Sequence, residues 1–406
     1  MPSEFARHWT LDPGTVFLNH GSFGATPRPV LAAQAEWRER MEREPVAFFA
    51  RDLEPAMDGA RAALGEFIGA DPDDLALVPN ATAGINIVAR SLDLRDGDEL
   101  FAIDHAYNAA TNVLEHVAGA AGARLVIARL SFPGATPDLA RDAILDAVTP
   151  RTRLVMIDHV TSPTALVLPV DEIVAALASR SIDTLVDGAH APGMLDVNVG
   201  AIGAAYYVGN CHKWMSAPKG SGFLHVRRDL QERVRPLAIS HGATSPRLDR
   251  TRFRIEHDWT GTSDPSAYLS IPAAIAFGAS LLPGGWPALR ERDHDLAIRG
   301  RDLLCAALGI DAPAPDSMIG SMAAVPLPLE AAAAPVPGPG QYDDPVHAAL
   351  QQHGIQVAVG PWPLRPDGEP WRRVVRISSA PYVSVSDLEL LASILPGVIG
   401  TTARLG

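Results

Sequence analysis

Cysteine is scarce: only Cys211 and Cys305 occur among 406 residues. Two thiols build no disulfide framework and no cysteine-based zinc site. Basic residues are outnumbered, with 34 Lys and Arg against 47 Asp and Glu and a formal net charge of −13. That balance disfavours nucleic acid or an anionic membrane surface as the main partner. No apolar stretch approaches the roughly 20 residues that span a bilayer. The longest candidate, 273–282, is interrupted by Gly278 and ended by Pro283, and is expected as a buried helix. The first residues show no basic start followed by an apolar run, so no secretory leader is read and a cytoplasmic location is expected. No GxGxxG or GxxxxGK[ST] occurs at a strand–helix junction. The 13 histidines include no His-x-x-x-His pair, so no metal is assigned.

What is present is a core-forming composition, 47% hydrophobic and 20% charged. The length suggests one large α/β domain or two domains. Short apolar runs at 75–79, 99–103, 124–128, 154–158 and 184–187 read as strands buried on both faces, as in a parallel sheet. Helical patterns such as 138–148 and 171–178 lie between them. Such alternation implies a doubly wound sheet with ligands at the carboxyl ends of its strands. Runs at 206–209 and 222–227 predict two further strands around a loop. Beyond about residue 262 the texture changes. Asp264-Pro265 is a helix start, helices run to about Leu308, strands are expected at 321–327 and 374–378, and a terminal helix at 387–395. The Ala- and Pro-rich stretch 330–345 reads as a connecting loop.

Four segments carry chemistry. In Gly209-Asn210-Cys211-His212-Lys213-Trp214, apolar and aromatic neighbours surround a lysine. Desolvation depresses an amine's pKa, and a neutral amine is the nucleophile that forms an imine with a carbonyl cofactor. Asp187-Gly188-Ala189-His190-Ala191-Pro192-Gly193 ends an apolar strand. A carboxylate there either caps the next helix or holds a proton on a pyridine nitrogen, making the ring an electron sink. His190 is placed for hydrogen bonding at the ring or for proton transfer. Asn80-Ala81-Thr82-Ala83 opens a helix whose free N–H groups either take an ordinary cap or bind a phosphate. Asp104-His105-Ala106-Tyr107 follows another strand, where an aromatic can stack on a flat cofactor or join the core.

Together these clusters resemble the class V aminotransferase family of pyridoxal-phosphate enzymes, and within it the isopenicillin N epimerase-like proteins. The resemblance also rests on Asn19-His20-Gly21-Ser22-Phe23-Gly24, His159-Val160-Thr161-Ser162-Pro163-Thr164, Thr260-Gly261-Thr262 and Arg376-Ile377-Ser378, and spans roughly residues 15 to 385. It implies an α/β chain of fold type I: a large domain (21–262) with a mainly parallel seven-stranded sheet, a smaller C-terminal α+β domain (263–406), and an N-terminal segment (1–20) near the active site. Lys213 would hold pyridoxal 5'-phosphate as an imine. Asp187 would pair with the pyridine nitrogen, and His190 would lie near the ring. Thr82 and Ala83, helped by Asn210 and His212, would donate to the phosphate. Tyr107 would stack on the ring, with His105 the competing choice. Ser162 would stand near the ring hydroxyl. Arg376 would grip the substrate carboxylate, with Asn19 and His20 bordering the pocket. Gly261 and Thr262 would reach the neighbouring subunit's phosphate, which implies a homodimer. Ala165 departs from the pattern, which has glycine there.

The expected chemistry starts at Cα of an amino-acid-like substrate. Epimerisation, C–S cleavage of the hercynylcysteine sulfoxide lyase kind, and transamination all remain open. A non-catalytic cofactor-binding protein is the alternative of a different class. The persulfide-forming desulfurases need a nucleophilic cysteine on a mobile loop. Cys211 reads as a buried neighbour of the lysine and Cys305 as helix core, which argues against that branch.

Overall fold

The structure, a computed structural model, describes residues 3–328, 344–363 and 372–402. The stretch expected as a loop at 330–345 lies almost wholly outside them.

Twelve strands occur in chain order: β1 Val16–Phe17, β2 Leu75–Val78, β3 Glu99–Ile103, β4 Arg124–Ala128, β5 Thr152–Asp158, β6 Asp183–Gly188, β7 Tyr206–Asn210, β8 Gly222–Val226, β9 Met322–Pro326, β10 Ile355–Gln356, β11 Ala358–Trp362 and β12 Arg372–Ser378. Seven form the central sheet in the order β2-β8-β7-β6-β5-β3-β4. Only β8 runs antiparallel to its neighbours. The continuous apolar runs are explained by burial: every residue of β2, β3, β7 and β8 is buried. Helices Ala81–Arg90, Asn108–Ala120, Pro137–Ala147 and Val170–Ser179 make the crossovers. This is the mainly parallel seven-stranded sheet of the fold type I enzymes.

A second sheet, β11-β12-β9, is antiparallel throughout. Helices Gly285–Leu308 and Val385–Thr402 pack beside it, with Leu304, Leu388 and Leu395 in a second hydrophobic core. Among the described residues Val385–Thr402 alone is, unbroken, long and apolar enough to cross a membrane, which the sequence reading did not anticipate. Its face Leu388–Leu391–Leu395 is buried in that core.

The N-terminal segment joins this second unit. Strand β1 pairs parallel with β10, and Phe5, Trp9 and Leu18 lie in the second core. The Ser378 N–H donates to the Leu18 carbonyl at 2.9 Å. This bond lays the chain just before Asn19 along the end of β12, which carries Arg376.

Candidate active site

Strand β7 ends at Asn210 and the chain returns on β8 at Gly222, its register partner. The loop between them carries Lys213. It is closed by its own backbone: Cys211 N–H to Ser221 O (3.0 Å), Ser216 N–H to Lys213 O (2.9 Å) and Ala217 N–H to Cys211 O (3.0 Å). Two motif glycines press on it. A Cβ on Gly24 would lie 1.9 Å from the His212 carbonyl oxygen, and one on Gly193 would lie 2.6 Å from the Trp214 carbonyl carbon. Both have positive φ, 70° and 89°. Only glycine permits that approach, so the NHGSFG and DGAHAPG segments meet at the lysine loop.

Lys213 Nζ lies 3.0 Å from His190 Nε2. Burial, with Arg376 nearby, lowers the amine to about 7, against the pull of Asp187 and Asp158. Burial also pushes His190 well below its ordinary value, with Lys213 adding to the effect. Asp187 closes β6, with its Oδ1 accepting from the Ala189 N–H at 3.0 Å. It is buried, and its pKa is raised by that burial. Its register partner on β5 is Asp158. Burial and then the Asp187 charge raise Asp158 well above the carboxylate range, and its Oδ2 has no partner among the described residues. Asp158 escaped the sequence reading. Its signal was its position, the last residue of an apolar run one strand from Asp187.

Arg376 reaches the site from β12. It donates to the Ser162 carbonyl, to Ser22 Oγ at 3.1 Å and to Asn19 Oδ1 at 3.5 Å. Ser22 Oγ donates in turn to Asn19 Oδ1 at 2.7 Å. Ser162, expected at the ring hydroxyl, thus serves Arg376 here, because β12 approaches its carbonyl. Ser22 was missed, although it sits one helical turn after Asn19.

Several expected roles change. His20 lines a small cavity with Trp9, Gly193 and Trp214 and is 1% exposed, with Nδ1 2.8 Å from the Tyr382 hydroxyl and Nε2 2.9 Å from the Lys213 carbonyl oxygen. Burial lowers its pKa to about 4. It braces the lysine because Trp214 and Tyr382 enclose its ring. His105 is fully buried. Its ring nitrogens meet Thr164 Oγ1 (2.6 Å) and the Leu130 carbonyl (3.1 Å), and Trp362 packs on it at 4.1 Å. Tyr107 is 38% exposed at the same strand end. The Ala83 N–H is given to Asn80 Oδ1 at 2.9 Å, an N-cap bond, and the Ala81 N–H to Asn210 Oδ1 at 2.8 Å. Thr82, between them, keeps its N–H without a partner among the described residues. His212 Nδ1 lies 2.9 Å from the Ser221 carbonyl, and burial lowers its pKa to about 4. Gly261 and Thr262 are exposed. Gly261 shares a cavity of about 200 Å³ with Pro79 and Ala83. Ala165 adopts φ 58°, the left-handed region that glycine suits, so the expected glycine has a backbone reason. Both cysteines are buried, and burial raises both thiols.

These residues fit a pyridoxal phosphate. A partly neutral amine, a buried carboxyl at a strand end with an unpartnered Asp158 oxygen beside it, and an open donor at a helix start are the donor set that this group needs.

The family profile described as aminotransferase class-V matches residues 17–391. The chain is 35% identical to isopenicillin N epimerase from Streptomyces clavuligerus, over 96% of each chain. It is 33% identical to a putative L-cysteine desulfhydrase 2 from Oryza sativa subsp. japonica, over 80% of this chain and 70% of that protein. It shares its fold with a cysteine desulfurase from Thermococcus onnurineus NA1, with a TM-score of 0.79, 20% identity and 99% of each chain covered.

Proposed function

Because the chain belongs to the aminotransferase class-V family, we propose that it is an epimerase of an amino-acid-derived substrate, working at Cα with pyridoxal 5'-phosphate. It is a pyridoxal-phosphate enzyme of class V. The relation to isopenicillin N epimerases over nearly the full length supports epimerisation in particular. The observation that carries the site is the Lys213 amine, lowered to about 7 and touching His190.

When bound, the cofactor supplies an electron sink for the pair left at Cα. Lys213 holds it and takes the Cα proton. Asp187 holds a proton on the pyridine nitrogen. The Thr82 N–H and hydroxyl and the His212 side chain would hold the phosphate, and Tyr107 would be the residue for the ring, since Trp362 packs on His105. Arg376, braced by Asn19, Ser22 and Ser162, binds the substrate carboxylate through its fork. Epimerisation needs a second proton carrier on the opposite face. His190 touches Lys213 and serves the lysine's face, which leaves Tyr107 for the other. The exposed Gly261 and Thr262 are assigned to a partner subunit's phosphate, and the protein to a homodimer, which light scattering of the purified protein checks.

The second reading is a C–S lyase, favoured by the cysteine desulfhydrase relatives. Buried thiols with raised pKa values stand against a persulfide route.

Purified protein is expected to absorb near about 420 nm, and borohydride to fix the cofactor on Lys213. Lys213→Ala abolishes both. Colourless protein that takes up no added cofactor sinks the enzyme reading. A substrate panel read by deuterium entry at Cα, optical rotation, keto acid and sulfide separates the reactions. Deuterium entry with inversion and no released group is expected. Released sulfide with keto acid and no inversion replaces the epimerase by the lyase, and keto acid without sulfide replaces it by an aminotransferase.

A further inference from the structure

We propose that Trp214 is a positioning residue that fixes the tautomer of His190 and so keeps the Lys213 amine a proton acceptor. The indole N–H is a donor only. It points at His190 Nδ1 across 3.4 Å, so that nitrogen presents its lone pair. His190 is 2% exposed. Besides burial, Lys213, Arg376, His212 and His20 all disfavour a charge on it. A neutral imidazole carries one proton, and with Nδ1 accepting, that proton sits on Nε2. Nε2 is the atom 3.0 Å from Lys213 Nζ. The Nε2–H therefore donates, and Nζ accepts through its lone pair. An ammonium at that position would set two donors face to face.

The opposite tautomer has the opposite effect. With the proton on Nδ1, the Nε2 lone pair would accept from an ammonium and favour the charged lysine. Asp187 and Asp158 already pull that way, while Arg376 opposes them. Trp214 decides which way His190 acts. The sequence marks this tryptophan only as an apolar neighbour of Lys213; its indole partner lies after another strand and is not legible there. The indole is buried and held from its other side by His20, at a ring separation of 5.1 Å. Lys213 as the reactive amine is the premise taken from the proposed function; the tautomer is read independently of any reaction.

Nitrogen-15 NMR of the full-length protein labelled at histidine tests the assignment, with the His190 signals identified by their loss in His190→Gln. The proton is expected on Nε2. Lys213 and Lys219 are the only lysines in the chain, so acylation of the full chain stripped of cofactor is read at two positions by peptide mapping. Trp214→Phe is expected to move the proton toward Nδ1, to raise the midpoint of the Lys213 rate–pH profile by about one unit, and to slow labelling at pH 7 about fivefold. Lys219 labelling stays unchanged. A wild-type His190 protonated on Nδ1 overturns the proposal whether or not the variant folds. A variant with native circular dichroism, wild-type tautomer and unshifted midpoint also overturns it. Failure of the cofactor to attach to Lys213 would sink the proposed function and leave the tautomer result standing.

Discussion

Two charge clusters in this protein differ in how many opposite charges surround each buried group. Around Arg61, which is fully buried, each charge meets several of the opposite sign. Arg61 bonds Asp58 at 2.9 Å, Asp258 and the Leu75 carbonyl at 3.1 Å. Arg254 reaches Asp58 and Asp73, and Arg250 reaches Glu54 and Asp58. At the rim, Arg250, Arg254 and Arg61 together hold the half-buried Asp58 below its usual value, while deeper in, burial still lowers Arg61 and raises Asp258 against their several opposite charges. Around Lys213, burial is not offset. Lys213, His190, His20, Asp158 and Asp187 all move toward their neutral forms, each with burial as the first cause. The difference is one of partner number. Fork-shaped guanidiniums satisfy many carboxylate oxygens at once and lock elements together. A single amine among imidazoles and two carboxyls stays able to gain and lose a proton. The first cluster also secures helix Arg252–Asp258, which leads directly into Thr260-Gly261-Thr262.

Breaking the Arg61 cluster is expected to have the largest effect on stability. Arg61→Ala leaves Asp258 only its longer contacts to Arg254 and Arg250 and costs about 3 kcal/mol, measured by urea unfolding. A cost below about 1 kcal/mol would erase the contrast. Next is Arg376→Lys. A lysine cannot reproduce a fork spread over Ser162, Ser22 and Asn19, and losing charged hydrogen bonds worth about 1.5–3 kcal/mol raises KM ten- to hundredfold, by steady-state kinetics.

The pH dependence sharpens the comparison from the other side. Lys213 falls from 10.5 when unfolded to about 7 when folded. Between those values the unfolded chain binds the extra proton. The cofactor-free protein therefore gains stability as pH rises from about 7 toward 10, by at most about 1.4 kcal/mol per unit, and loses it as pH falls through 7. Lys213→Met flattens that slope in a series of melts across pH. The smallest effect belongs to an exposed pair outside both clusters. Arg43 and Glu39 are 3.1 Å apart with side chains 72% and 73% exposed, and Glu39→Ala is expected to leave the melting temperature unchanged.

Much of the large sheet was readable because its strands are buried on both faces. The run 99–103 coincides with the fully buried β3; 124–128 coincides with β4, an edge strand that is only partly buried. The insertion of antiparallel β8 between β2 and β7 was not readable, since a buried strand has the same composition whichever way it runs. Nor was the two-residue pairing of β1 with β10, which is too short to show a period. At the site, Lys213, Asp187 and His190 were legible from local motifs. Asp158 and Ser22 were not, because each acquires its role from a neighbour distant in sequence.

By itself the sequence determined the identity of the reactive groups, the succession of strands and helices, and the family to which these belong. Those features are local: a buried run, a cap, a lysine among aromatics. The tertiary structure alone decided who faces whom. It made His20 a brace between Tyr382 and the Lys213 carbonyl, and placed Arg376 against Asn19 and Ser22. It also set the Trp214 indole on His190. Protonation states follow from burial and from which donor meets which acceptor, and both arise only when distant strand ends are brought together.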